Sequence, residues 1–286
     1  MPDAALAATE RQFQGLLGAA AGPRGVRLEL FALNGPERGG AARRRLERGY
    51  GDLAALRAAD LDLLVVTGAQ PHGGRVEDEP VFAEAAALAD HAREVRLPTV
   101  WSCLAAHVAA FRLFGAQRRP LATKLSGVFA FEAAHGHPLT AGAARALVPH
   151  SRVNGLCEAE LRARGCSILT RSPHHGVDAF AVEDGALFVF LQGHPEYGPE
   201  VLGLEWRRDL RLALERGAAP PAPPSSYFTP EAEAALSAAA AEGPAALVAA
   251  AATAPLRPAA WRPFAEGLWR SVLETAALSR GADLPA

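Results

Sequence analysis

In TVWSCLAAHVAAFRLFG, Thr99 to Gly115, a cysteine stands where an apolar strand-like run gives way to a helix-like one. Such a junction aims unpaired backbone N–H groups and the positive end of a helix dipole at the Cys103 thiol. That setting favours the thiolate and supplies donors for an oxyanion. A nucleophilic cysteine also needs a base, and the base needs a group to orient it. LFVFLQGHPEYG offers both: His194 follows a strong apolar run and a glycine, and Pro195 biases the residue before it towards an extended conformation. In an extended segment His194 and Glu196 project to the same side, where the carboxylate can hold the imidazole's tautomer. The plainer reading is that free cysteine is among the most buried residue types and that an H-P-E loop needs no chemistry. The flanking glycines of a G-x-S-x-G elbow are missing, with Trp101 at the first of those positions, although small Ala105 and Ala106 follow the cysteine.

Other polar groups are less pointed. VPHSRVN sets His150, Ser151 and Arg152 in a non-helical stretch suited to gripping a carboxylate or an amino acid. HGHP (His135 to Pro138) and SPHHG (His174, His175) hold metal-ligating side chains, but no carboxylate or cysteine recurs at ligand spacing. They read as surface loops with no metal. Lys124 is a lone base entering LSGVF. Arg207 and Arg208 lie beside Glu205 and Asp209, a pattern that surface ion pairing explains. Neither G-x-x-x-x-G-K nor G-x-G-x-x-G occurs, so nucleotide binding has no motif behind it.

The elements that must position these groups alternate. Strand-like runs are Val26–Leu33, Leu61–Ala69, TVWS, KLSGVFAF, CSILTRS and ALFVFLQG; helix-like spacing follows Pro80 and Leu104 and fills PEVLGLEWRRDLRLALERG. Continuous apolar strands between helices predict an α/β fold, a mostly parallel sheet with helices on both faces. Sites of such sheets lie beyond the strands' C-terminal ends, here Thr67–Ala69, Ser102–Cys103 and Gln192–His194. AAPPAPPSSYFTP reads as an extended connector. The organisation expected is an α/β domain over 1–228 and an Ala-rich helical extension over 229–286 packing on it, with Trp261, Phe264, Leu268 and Val272 on one stripe.

The bulk numbers fit one large domain with an appendage: 286 residues, 50% hydrophobic, net charge −2. That balance gives no reason to expect nucleic acid or a membrane surface as partner. Cys103, Cys157 and Cys166 make neither a disulfide framework nor a zinc pattern. MPDAALAATERQF has neither the basic start nor the apolar core of a secretory leader, and a cytoplasmic setting is expected.

Taken in order, VVTGAQP, SCLAAHVAAFRLFG, TKLSGVF, PHSR and GHPEYGPEVLGLEWRRDL resemble the homoserine O-acyltransferase family of methionine biosynthesis. The resemblance spans roughly Thr9 to Phe228 and returns at Trp261. It implies a flavodoxin-like, class I glutamine-amidotransferase-like fold and a homodimer. The implied chemistry is transfer of succinyl or acetyl from an acyl-CoA co-substrate to the homoserine hydroxyl, with no permanently bound cofactor. By the same resemblance Cys103 carries the acyl thioester, His194 is the base and Glu196 orients it. Lys124, Ser151 and Arg208 bind homoserine, Arg152 supports that pocket, and His72 occupies the position tied to acyl choice. Glycine there goes with succinyl and glutamate with acetyl; a histidine can donate a hydrogen bond or carry positive charge, which leans to succinyl. Two further departures are Leu104 and His107, where the family usually has tryptophan and glutamine. The family also carries a strand just before the region matching Met1, so either the true start lies upstream or one edge of the sheet is expected to be lost or replaced. The rival readings are a glutamine-hydrolysing amidotransferase, whose cysteine normally sits in G-x-C-x-G, and a non-catalytic homologue that binds a small metabolite.

Overall fold

The structure, a computed structural model, describes residues 3–33, 38–72 and 74–279. The last residues of the expected extension, 280–286, lie outside the described residues. Among the described residues seven strands make one sheet: β1 (Leu64–Val66), β2 (Thr99–Ser102), β3 (Arg119–Ala133), β4 (Arg145–Gly155), β5 (Ser167–Ser172), β6 (Gly176–Glu183) and β7 (Leu187–Leu191). Their order across the sheet is β1-β2-β7-β6-β5-β3-β4. Pairing is parallel among β1, β2 and β7 and antiparallel from β7 outward. The helices are α1 (Leu6–Ala21), α2 (Gly40–Gly49), α3 (Leu53–Ala58), α4 (Phe82–Glu94), α5 (Leu104–Phe114), α6 (Glu158–Ala163), α7 (Val201–Glu215), α8 (Pro230–Glu242), α9 (Pro244–Thr253) and α10 (Arg262–Ser279). The architecture is the α/β fold read from the sequence, with its parallel part confined to the three strands that carry the candidate site.

Every residue of β7 is buried, as a central strand covered on both faces requires. Side-chain alternation divides it: Phe188 and Phe190 join Trp101 and the alanines of α5, while Leu187, Val189 and Leu191 meet Phe13 and Leu16 of α1 and Trp269 of α10. Phe180 and Phe190 stack at 4.6 Å, and Phe13 meets Trp269 edge-on at 6.0 Å. Ala105, Ala106, Ala109 and Ala110 are all buried, so α5 lies close against the sheet behind Cys103. A further apolar cluster joins Trp206 of α7 to Phe228, Leu236, Leu247 and Trp261, which seats the C-terminal helices on the body.

Four segments differ from the sequence reading. Val26–Leu33 is not a strand of the sheet: among the described residues its β pairing is a single bridge, Phe31 with Gly51, and Val26 and Leu28 are exposed. That segment instead walls a cleft of about 1180 Å³ beside β1, lined by Leu6, Phe13, Leu64 and Val66 and reaching Gly68 at its inner end. VPHSRVN lies within β4, and GVDAFAVE forms β6, two strands beyond those the apolar runs indicate. Finally, the proline-rich connector docks: Ser225 N–H donates to Ser126 O and Val128 N–H to Ser225 O, both at 2.9 Å. Gly127, at φ 146°, permits this, since a Cβ there would lie 2.4 Å from Ser225 O. No helix among the described residues is long and apolar enough to cross a membrane.

Candidate active site

The sharp turn between β2 and α5 is made by Cys103 itself, at φ 55° and ψ −122°. A side chain rarely adopts that backbone, and holding it there costs about 1–3 kcal/mol. The surroundings over-determine it. Cys103 N–H donates to Leu191 O at 2.8 Å, and Cys103 O accepts from Ala106 N–H at 3.0 Å and His107 N–H at 3.4 Å. Gly68, just past β1, lies so close that a Cβ on it would be 2.6 Å from Leu104 N and 3.2 Å from Cys103 Cβ. The N–H of Leu104 opens α5, where helix geometry leaves amides without an intrahelical acceptor.

The chain beyond β7 is fixed at each peptide. Gln192 N–H donates to Asp178 O at 2.8 Å, Gly193 N–H to Asp178 Oδ1 at 3.1 Å, and His194 N–H to Pro149 O at 2.8 Å. His194 Nδ1 then meets Glu196 Oε1 at 2.8 Å. Burial alone would push the imidazole down. The Glu196 carboxylate and the Cys103 sulfur outweigh it and hold His194 well above its ordinary value. Tyr197 stacks on the His194 ring at 4.2 Å, its hydroxyl donates to Glu205 at 2.8 Å, and its carbonyl accepts Trp261 Nε1–H at 3.0 Å. Cys103 acts electrostatically on the His194 ring that Glu196 orients, an arrangement suited to moving a proton from thiol to imidazole.

The other expected residues fall into two places. Lys124 Nζ reaches Asp209 Oδ2 at 2.7 Å, while Arg208 meets Asp209 Oδ1 through Nε at 2.8 Å and Nη2 at 2.7 Å. Burial works against the Asp209 charge, but these two cations hold its carboxyl below the usual value. Ser151 lies opposite Ser126 in the β3–β4 register, on the face of β4 opposite to His150 and Arg152. His72 is exposed on the loop that follows Gly68. Its N–H donates to Glu79 Oε2 at 3.0 Å, and its Nδ1 lies 3.3 Å from the same oxygen. Glu79 is buried and ion-paired with buried Arg118 at 2.7 Å.

Sequence reasoning missed Glu79, Arg118 and Asp178. Asp178 is fully buried, accepts Thr170 Oγ1–H at 2.7 Å, and lies 3.2 Å from His150 Nε2, though poorly aligned for a hydrogen bond. Burial pushes His150 down to about 4 despite that carboxylate. One signal was available: a strand of period two through GVDAFAVE puts Asp178 among buried residues, where a carboxylate must have partners. His135 and His174 are exposed, and among the described residues no group of three or more His, Cys, Asp or Glu gathers as a metal would need.

A mixed sheet, a cysteine at a strained strand-to-helix turn and an imidazole past the neighbouring strand define a glutamine-amidotransferase-like α/β fold. A solved glutamine amido transferase from Methylobacillus flagellatus shares it, with a TM-score of 0.50 at 16% identity over 86% of this chain and 92% of that one. Within that fold the chain belongs to the homoserine O-succinyltransferase family, whose model matches residues 1–249. It is 48% identical to the homoserine O-succinyltransferase of Methylorubrum extorquens over 282 residues, 96% of this chain and 84% of that protein. With the homoserine O-succinyltransferase of Rhodopseudomonas palustris it shares 46% over 248 residues, 86% of this chain and 74% of that protein.

Proposed function

We propose that this chain transfers a succinyl group from succinyl-CoA to the hydroxyl of homoserine, in methionine biosynthesis, through a thioester on Cys103. The observation that carries the reading is the Cys103 turn at φ 55° beside a His194 ring that Glu196 holds and that the Cys103 sulfur helps to charge. His194 takes the thiol proton as sulfur attacks the thioester carbonyl, and the oxyanion forms beside the Leu104 N–H. Collapse breaks the carbonyl–sulfur bond to coenzyme A, whose thiolate leaves with the proton from His194. In the second half His194 removes the proton from the homoserine hydroxyl, the oxygen attacks the acyl carbon, and the Cys103 sulfur departs and is reprotonated.

The substrate's charges suit the remaining residues. Homoserine presents a carboxylate and an ammonium group, and Lys124, Arg208 and Asp209 offer two cations and one anion in contact. An arginine can grip the carboxylate bidentately. The exposed ring of His72, tethered by Glu79, suits the distal carboxylate of a succinyl group better than an acetyl methyl.

Intact-mass spectrometry after incubation with succinyl-CoA or acetyl-CoA tests this. An adduct on Cys103, larger with the succinyl donor and discharged by homoserine, is expected. A folded sample that takes neither acyl group refutes the reading, and ammonia released from glutamine favours an amidotransferase instead. His72→Gly and His72→Glu are expected to move donor preference in opposite directions.

A further inference from the structure

The segment that joins β1 to α4 starts against the nucleophile and is pinned along its length. Gly68 lies against the Cys103 turn, and further on Val76 is buried with Leu104 and Val108 of α5. Glu79 ends the segment. Its carbonyl accepts Phe82 N–H at 2.9 Å where α4 opens, and its side chain pairs with Arg118. His72 comes between Gly68 and Val76 in the chain, and its side chain is 71% exposed.

One buried ion pair serves both the donor and the acceptors of the backbone around His72. The Glu79 carboxylate accepts His72 N–H at 3.0 Å on Oε2 and 3.2 Å on Oε1, and His72 Nδ1 lies 3.3 Å from Oε2. Arg118 donates from Nη2 to Glu79 Oε1 at 2.7 Å, to Gly74 O at 2.9 Å and to Arg75 O at 3.0 Å. The two charged side chains are 3% and 0% exposed. A pair so deeply buried adds little stability over apolar side chains of the same volume, so stability alone does not account for it. Apolar side chains could not bond three backbone groups and a ring. A carboxylate only accepts, so the ring proton at this contact sits on Nδ1, and Nε2 is left for whatever enters from solvent.

We propose that Glu79 is a specificity-determining positioning residue: paired with Arg118, it clamps segment 68–79 and fixes the His72 ring that meets the free end of the acyl donor. The proposal rests on the succinyl-transfer reading, but one of its tests does not. Two variants are made: Glu79→Gln, and the paired change Glu79→Leu with Arg118→Met, which removes both charges at similar volume. Each is compared with wild type, and again in a His72→Ala background. Amide exchange of segment 68–79, followed by mass spectrometry, is expected to speed up about tenfold or more in both. The ratio of Cys103 acylation rates from succinyl-CoA and acetyl-CoA is expected to fall about fivefold or more, since members of one hydrogen-bond network couple by that order. The homoserine KM and the rate of Cys103 alkylation by iodoacetamide should stay within about twofold, because neither reads the donor's free end. In the His72→Ala background the Glu79 changes should leave the donor ratio within about twofold. If Glu79→Gln does not fold, the paired change decides. Unchanged exchange overturns the clamp. The specificity role is overturned by an unchanged donor ratio, by an equal fall in the His72→Ala background, or by alkylation that slows along with the ratio. A wild-type protein that alkylates at Cys103 yet takes neither acyl group defeats the acyl-transfer reading and leaves amide exchange to judge the clamp.

Discussion

Gly68→Ala isolates the fit between the β1 loop and the nucleophile turn. Its backbone lies outside the left-handed region, so alanine meets no conformational barrier there and the effect is steric. The added methyl would lie 2.6 Å from Leu104 N, 3.0 Å from Ser102 O and 3.2 Å from Cys103 Cβ. Ordinary contact begins at about 3.5 Å, so loop and turn must part by roughly 0.9 Å. A displacement near 1 Å at a reacting group costs about a hundredfold in rate, equivalent to about 3 kcal/mol of transition-state stabilisation. Overpacking adds a stability loss of about 1–3 kcal/mol, which leaves a folded protein to assay. Rapid-quench measurement of adduct formation from succinyl-CoA, beside thermal unfolding, reads both. Gly15→Ala is the control: nothing lies within 4 Å of its Cβ, and the rate should not change. A folded Gly68→Ala protein that acylates within about threefold of wild type would refute the close-fit argument.

Cys103→Gly and Cys103→Ala both remove the thiol, but only glycine relaxes φ 55°; the glycine variant should be the more stable by about 1 kcal/mol in urea melts. Asp209→Asn should loosen both Lys124 and Arg208 and raise the homoserine KM about tenfold, with adduct formation nearly unchanged; an unchanged KM would place acceptor binding elsewhere. His107 and His150 are held neutral, near 3 and 4, against an unfolded value of 6.5. As pH falls below that value the unfolded chain gains protons that the folded chain refuses, and stability should drop by about 2 kcal/mol for each by about pH 5. His194 has the opposite sign: its folded value is raised, so its contribution is complete below 6.5 and lost as pH climbs through the folded value. Stability should therefore peak near neutrality, with a shallower acid limb in His107→Gln; a flat acid limb would contradict the burial of these rings.

The grouping of Cys103, His194 and Glu196 was legible because its signals are local: a strand-to-helix junction and an i, i+2 alternation. What escaped depends on partners far along the chain. Val26–Leu33 has strand composition, but a strand exists only against a neighbour, and the segment has one bridge. β4 was hidden by Pro149, tolerated because β4 is the sheet's edge. β6 was hidden by Asp178, acceptable there only with Thr170, Gly193 and His150 around it. The Glu79–Arg118 pair joins residues 39 apart, and nothing near either one announces the other.

The imidazole's stacking partner is itself tied down by Trp261, 64 positions after the carbonyl it grips. A growing polypeptide therefore carries Cys103 long before the anchor for the ring stacked on His194 has left the ribosome. A chain cut short before that tryptophan keeps its thiol but has no anchored stack behind the histidine.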